Sequence, residues 1–327
     1  MGFSGYYKKI LTIGVLILAL IAGWVGVLTY TIVDYTHQNQ RHASEDNDRA
    51  DDDEPPVPEV PEIPEVPEVP EVSSLRLMCI GASITRGEGS RGGRGYRKQI
   101  RDALTSSGKT VNYVGFNRFG DWEDNDVEGY GAYRIRTITK NARQSVPALR
   151  PNLILVQVGT SDCFQEDDTE NIGSRMRILA DAMIDADPEA TVILSTLVTT
   201  PDPDYEPCIL SANTQIRQVA DDMIRENKTV ALAEMHYDQG LPDRPKPEDI
   251  GPDRIHPTDE GYSMMGDIFL EKIREIEEKG FLQPPFNNSI PDNGDDGREV
   301  EDELKAKAEA EHPITKGSRR RRYVDTT

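Results

Sequence analysis

Between residues 75 and 284, short apolar runs alternate with stretches whose apolar positions recur every three or four residues. The runs at 75–80, 110–115, 152–158, 190–197 and 229–234 read as strands apolar on both faces. Between them lie helical patterns at 94–107 (Tyr96, Ile100, Ala103, Leu104), near 133–143, and at 170–186 (Ile172, Met176, Leu179, Met183). Two more follow at 209–227 and 258–279. Strands that alternate with helices predict an α/β sandwich of three layers, with a five-stranded parallel sheet covered on both sides. About 210 residues are ample for one such core.

The flanks follow other patterns. Residues 10–33 (ILTIGVLILALIAGWVGVLTYTIV) hold no charged residue over 24 positions. As a helix they would reach roughly 36 Å, enough to cross a bilayer. A cleaved signal peptide is the rival reading, although its apolar region usually runs only about 7–15 residues; a buried globular helix is the third. Lys8 and Lys9 precede the segment and acidic residues follow it. The positive-inside rule then predicts a signal anchor, with residues 1–9 cytosolic and the rest lumenal or extracellular, or secreted after cleavage. Residues 34–74 read as a stalk, with an acidic block at 45–54 and PPVPEVPEIPEVPEVPEV at 55–72. Proline at every third position favours polyproline II, a semi-rigid spacer of roughly 55 Å. Residues 285–327 read as a charged tail without fixed structure, containing one charged helical stretch at 298–311 and the Arg319–Arg322 run.

A net charge of −21 leaves no basic stripe for phosphate contacts and argues against a nucleic-acid partner. Of three cysteines, Cys79 lies in an apolar strand and reads as a buried thiol. Cys163 and Cys208 fall in loops that follow strands, and an oxidising compartment would let them pair. Asn227 and Asn287 each begin an acceptor tripeptide for glycosylation.

In open parallel sheets, functional groups gather at the carboxyl ends of the strands. The loops leaving such ends are 81–93, 116–132, 159–168, 198–208 and 235–257. Ser83, in GASIT (81–85), is either a turn residue or a nucleophile at the sheet edge. Of five histidines, only His236 and His256 lie within the domain. Asp253 precedes His256 by three residues, an offset that can bring a carboxylate to Nδ1–H and leave Nε2 free to accept a proton. His236 reads as a loop or core histidine. Asp121, Glu123, Asp124, Asp126 and Glu128 crowd one loop; a hard cation such as calcium is conceivable there, but solvation is the plainer expectation, and no metal is assigned.

GASIT (81–85), GTSD (159–162) and DRIHP (253–257) resemble the first, third and fifth blocks of the SGNH (GDSL-type) hydrolases. GYRKQIRDALTSSGKTVNYVG (95–115) and DNDVEGYGAYRI (124–135) resemble carbohydrate esterase family three, which includes acetylxylan esterases. The likeness covers nearly all of 75–280. It implies a flavodoxin-like sandwich and ester hydrolysis by a Ser-His-Asp triad without a required cofactor. By that resemblance Ser83 would be the nucleophile and, through its N–H, one oxyanion donor. His256 would be the general base and acid, and Asp253 its orienting carboxylate. Two positions depart from the pattern. The second block's oxyanion glycine is Ala132, costly if its backbone needs φ > 0. The third block's asparagine is Ser161, a shorter donor whose hydroxyl rotor is not committed to donation.

The expected function is therefore hydrolysis of O-acyl, chiefly O-acetyl, esters of polysaccharide at or beyond the cell surface. Trp122, Tyr130, Tyr133 and Tyr205 lie in crevice loops and could stack on sugars, with core packing as the alternative for each. A catalytically weakened relative that binds glycan is the second reading, and hydrolysis of lipid or small esters the third.

Overall fold

The computed structural model describes residues 72–296 and 298–311, all within one unit spanning Pro67–Thr327. The described chain begins with β1 (Ser74–Gly81), α1 (Ser83–Arg86), α2 (Gly95–Ser106), β2 (Thr110–Tyr113), β3 (Asn117–Arg118) and β4 (Asp126–Gly129). It continues through α3 (Ile135–Leu149), β5 (Leu153–Gln157), α4 (Thr160–Phe164), α5 (Ile172–Ala186) and β6 (Thr191–Ser195). The last elements are α6 (Glu206–Arg225), β7 (Val230–Ala233), α7 (Asp259–Glu278) and α8 (Glu299–Glu311).

β1 is the hinge of the sheet. On one side it pairs in parallel with β5, Leu77 opposite Leu153, and β6 and β7 follow in parallel order. On the other side two strands share its length. β2 lies along the first half, Ser74 opposite Thr110, and β4 along the end, Ile80 opposite Glu128. β3 closes that edge, antiparallel to β4. The sheet thus has seven strands rather than the expected five. Because the connections run to opposite sides of β1, a crevice opens at the carboxyl ends of β1 and β5.

Alternate residues of β1 enter different cores, as strand pleating requires. Met78 and Ile80 pack with Ile154, Val156 and Leu194 against Ile138 of α3, Met176 of α5 and Ile216 of α6. Leu77 and Cys79 pack with Leu155 and Ile193 against Ile100 of α2 and Phe269 of α7. Helices therefore cover both faces, each fully buried aliphatic side chain contributing about 1.5–3 kcal/mol. Burial pushes the Cys79 thiol up to about 12, so it stays protonated.

β4 escapes sequence reading because Asp126, Glu128 and Gly129, all but one of its residues, disfavour strands by propensity. Here each acid has a partner. Asp126 is bound by Arg118 at 2.9 Å and by Arg298 at 3.1 Å, and Glu128 accepts the Phe116 N–H at 3.0 Å. Nearby, Asp124 accepts from Arg101 at 2.7 Å and from the Tyr113 N–H. The acidic loop is thus not merely solvated: Asp124, Asp126 and Glu128 are buried.

The segment after residue 284 is not a free tail as far as it is described. Buried Arg76 donates to the carbonyls of Phe286 and Ile290, and Asn112 donates to Pro291 O and Glu301 Oε1. In α8, Val300, Leu304 and Ala308 pack on the α3 core while Asp302 pairs with Arg118. The charged helix docks through this apolar stripe and the Asp302–Arg118 pair, while Arg298, just before it, reaches Asp126 of β4.

A further correction concerns the membrane. No helix among the described residues is long and apolar enough to span a bilayer. Residues 10–33, on which the single-pass expectation rested, lie outside the described residues, as do residues 1–9, most of the stalk and the Arg319–Arg322 run. A single-pass topology therefore has no structural support and is set aside.

Candidate active site

The turn out of β1 places Ser83 at the start of α1. Gly81 makes the turn possible: a Cβ there would lie 2.1 Å from the Gln157 carbonyl oxygen and 2.1 Å from Thr85 Oγ1. Thr85 Oγ1 instead donates to that carbonyl at 2.9 Å, fastening α1 to β5. From α2, the fully buried Arg97 donates to the carbonyls of Thr85 (3.0 Å), Arg86 (2.8 Å), Phe119 (2.6 Å) and Asp126 (3.2 Å). Its rigid fork of donors satisfies the orphan carbonyls at the end of so short a helix. Sequence reading missed this residue, since one of several basic residues on an amphipathic helix looks solvent-facing.

His256 belongs to the loop before α7. Its Nδ1 lies 2.6 Å from Asp253 Oδ2, while Asp253 Oδ1 accepts the N–H groups of Ile255 and His256, each at 3.0 Å. An ionised carboxylate can only accept, so Nδ1 carries the proton and Nε2 presents its lone pair. Nε2 is buried and without a hydrogen-bond partner. Burial pushes the Asp253 carboxyl up, but the hydrogen bonds from His256 and Ile255 outweigh it and hold it below the ordinary range. Thr200 Oγ1 donates to the Arg254 carbonyl at 2.6 Å, steadying a residue with φ +62° in the middle of this loop.

The first and last crevice loops are packed together. A Cβ on Gly89 would meet His256 Cβ at 2.7 Å, Tyr262 Oη donates to the Glu88 carbonyl at 2.6 Å, and the Arg91 N–H donates to Asp259 at 2.8 Å. These contacts set the imidazole against the segment that follows Ser83.

Ala132 has φ +60°, the left-handed region that alanine adopts at a cost. Among the described residues neither its N–H nor that of Ser83 is spent on a hydrogen bond. Ser161 sits in the first turn of α4, largely buried. Its neighbour Asp162 is fully buried and accepts from the Ile135 N–H at 3.0 Å and Arg175 at 3.1 Å. Asp162 thereby ties the loop carrying Ala132 to the helix carrying Ser161; burial raises its carboxyl, tempered by those two donors. Cys163 and Cys208 form a disulfide that joins α4 to α6, with Cα atoms 5.7 Å apart.

The aromatic residues separate. Trp122 is buried, edge-on to Tyr113 at 5.6 Å, with Arg97 over its ring at 5.3 Å, so it is a core residue and no platform. Tyr130 stacks on Tyr133 at 5.1 Å and Tyr205 on Phe164 at 4.2 Å, with Tyr133 exposed. His236 is buried, Nε2 lying 3.1 Å from Glu206 and Nδ1 accepting the Asp238 N–H. Asn227 and Asn287 are both exposed. No cluster of acidic, histidine or cysteine side chains suited to a metal occurs among the described residues.

Known proteins resemble this chain in sequence and in fold. The chain is 27% identical over 259 residues to a multidomain esterase of Ruminococcus flavefaciens, covering 69% of this chain but only 32% of that protein. A family 3 carbohydrate esterase of Clostridium thermocellum has the same fold, with a TM-score of 0.55 at 21% identity over 63% of this chain and 98% of that one. So does a family 3 carbohydrate esterase from Talaromyces cellulolyticus, with a TM-score of 0.53 at 20% identity over 63% and 99%. The model of the GDSL-like lipase/acylhydrolase family matches residues 79–264. That match runs from β1 into α7 and takes in Ser83, Ser161 and His256, and by it the chain belongs to the GDSL-like lipase/acylhydrolase family.

Proposed function

We propose that this protein is a serine esterase that removes O-acyl groups, chiefly O-acetyl, from polysaccharide. The observation that carries this reading is the 2.6 Å pairing of His256 Nδ1 with Asp253, which leaves a buried, unpartnered Nε2 beside the segment following Ser83. The esterase names of the similar proteins point the same way.

In this reading Ser83 Oγ gives its proton to His256 Nε2 and attacks the ester carbonyl carbon. The oxyanion takes hydrogen bonds from the N–H groups of Ser83 and Ala132 and from the Ser161 hydroxyl. His256, charged and held by Asp253, returns the proton to the departing alkoxide. Water then repeats the sequence on the acyl-enzyme. Tyr133 and Tyr205 supply exposed or half-exposed ring faces for a sugar.

A second reading, a glycan-binding relative with little turnover, draws on the left-handed Ala132 and the short Ser161. Hydrolysis of p-nitrophenyl acetate and acetylated xylan by the purified protein, beside Ser83→Ala, separates the two. Activity that vanishes in Ser83→Ala supports the esterase. A parent no faster than Ser83→Ala on both substrates overturns it.

A further inference from the structure

The catalytic sequence above leaves Glu88 without a task, although it lies inside the site. Its backbone is fixed at both ends: the N–H donates to Ser83 O at 3.0 Å, and the carbonyl accepts from Tyr262 at 2.6 Å. Its Oε1 accepts from Arg86 Nη1 at 2.6 Å, and the Arg86 guanidinium rests on Phe119, 4.2 Å from the ring centroid. A Cβ on Gly131 would come within 2.7 Å of the same oxygen. The other oxygen, Oε2, lies 3.9 Å from His256 Nε2, and the side chain is 30% exposed. No protein donor reaches Oε2 within hydrogen-bond distance among the described residues. The carboxylate thus stands between the base and the Gly131–Ala132 loop, one oxygen committed and one open.

In the reaction proposed above, the leaving group has to come to this position. The alkoxy oxygen must come to hydrogen-bond distance of Nε2 to collect its proton. A hydroxyl on the adjacent carbon then falls within reach of an acceptor 3.9 Å from Nε2. An ionised carboxylate can only accept, so it rewards a donor there. It penalises a bare C–H, which would strip water from Oε2 and replace it with nothing.

We infer that Glu88 is a specificity-determining residue that accepts a hydrogen bond from a hydroxyl vicinal to the scissile ester, selecting monoesters of vicinal diols such as partly acylated sugar rings. The inference rests on the esterase reading and adds to it which neighbour the ester must have.

The test pairs a substrate change with a residue change. The kcat/KM of the purified protein is measured on a methyl pyranoside with one O-acetyl group beside a free hydroxyl, and on the analogue deoxy at that hydroxyl. The parent is expected to prefer the diol monoester by about 10–100-fold, the worth of a hydrogen bond to a charged group. In Glu88→Leu the ratio should fall to near one, whatever the absolute rates. In Glu88→Gln, which keeps one amide oxygen as acceptor, it should fall at least about 3-fold. A parent ratio near one, or a ratio that survives Glu88→Leu, overturns the inference. If Glu88→Leu does not fold, an unchanged ratio in Glu88→Gln does so. Ser83-dependent hydrolysis with a flat ratio sinks only this inference. Absence of Ser83-dependent hydrolysis of either sugar acetate and of p-nitrophenyl acetate sinks the esterase reading, and this inference with it.

Discussion

Gln165 Nε2 donates to the main-chain carbonyl of Ala132 at 2.9 Å, joining the end of the helix that holds Ser161 to the loop that holds the left-handed alanine. Asp162 makes the same connection from the buried side, through the N–H of Ile135. The two proposed oxyanion loops are therefore held as one unit. Alanine is kept in a backbone region it leaves readily when free, and the cost of that region, about 1–2 kcal/mol, has to be met by such contacts.

Ala132→Gly should accordingly stabilise the fold. Removing Cβ relieves about 1–2 kcal/mol, and the extra freedom of glycine in the unfolded chain returns about 0.4–1 of it. A net gain of about 0.5–1 kcal/mol is expected in urea unfolding. An unchanged or lower midpoint would show that the alanine is not strained.

Ser161→Asn lengthens the donor toward the oxyanion and commits an N–H to it. A single well-placed oxyanion donor is worth about 10²–10³ in turnover, so a rise in kcat of about 10-fold or more is expected. Equal kcat values in the two proteins would mean that the serine hydroxyl already serves, or that the oxyanion lies elsewhere.

Asp253→Asn removes the charge facing Nδ1 and favours the wrong imidazole tautomer. A fall in kcat of about 10³–10⁴ is expected with the fold intact by circular dichroism. A loss below about 10-fold would take Asp253 out of the triad role.

Reducing the Cys163–Cys208 bond opens a loop with a sequence separation of 45. Chain-entropy arguments give about 4 kcal/mol for a loop of that length. Denaturation with and without reductant, and of Cys163→Ser with Cys208→Ser, should show a loss of about 2–4 kcal/mol. Identical midpoints would contradict the bond.

Stability should fall as pH rises from about 5 to above 7, because burial raises Glu128 and Glu301 to about 7 and Asp124 to about 6. Folded groups with raised carboxyl pKa values hold protons that the unfolded chain releases near pH 4–4.5. Their contribution is full below that range and is lost as pH climbs through the folded values. Lowered carboxyls such as Asp253 and Glu206 work in the opposite sense at lower pH. Thermal midpoints across pH 5–8 should fall less steeply in Glu301→Gln, whose neutral amide keeps a partner for Asn112. A parent curve that rises across this window contradicts the assignment.

Much of this protein was legible without coordinates. The five apolar runs became β1, β2, β5, β6 and β7, because strands buried on both faces read as near-continuous apolar runs. The pairing of Asp253 with His256 and the place of Ser83 just past β1 follow from their loops, since a parallel sheet sends each strand's carboxyl end to one edge. Where charge rather than hydrophobicity decided, sequence reading failed. β4 looked like an acidic loop and α8 like a free helix, because nothing in either segment announces the arginines at 76, 118 and 298 that receive them or the chain around them. For Trp122 the choice between sugar platform and core stayed open in the sequence, because a side chain's burial depends on what folds over it.

Five of the strands, the residue types at the site and their loops were thus set locally, by period and position in the chain, whereas the order of the strands in the sheet was not. The remaining features are pairings between segments distant in sequence: the left-handed Ala132 braced by Gln165, Arg97 spread over the carbonyls below Ser83, and Glu88 held open toward His256. Each depends on a distance of a few ångströms between loops, and only tertiary packing fixes such distances, because no local rule of period or propensity encodes them.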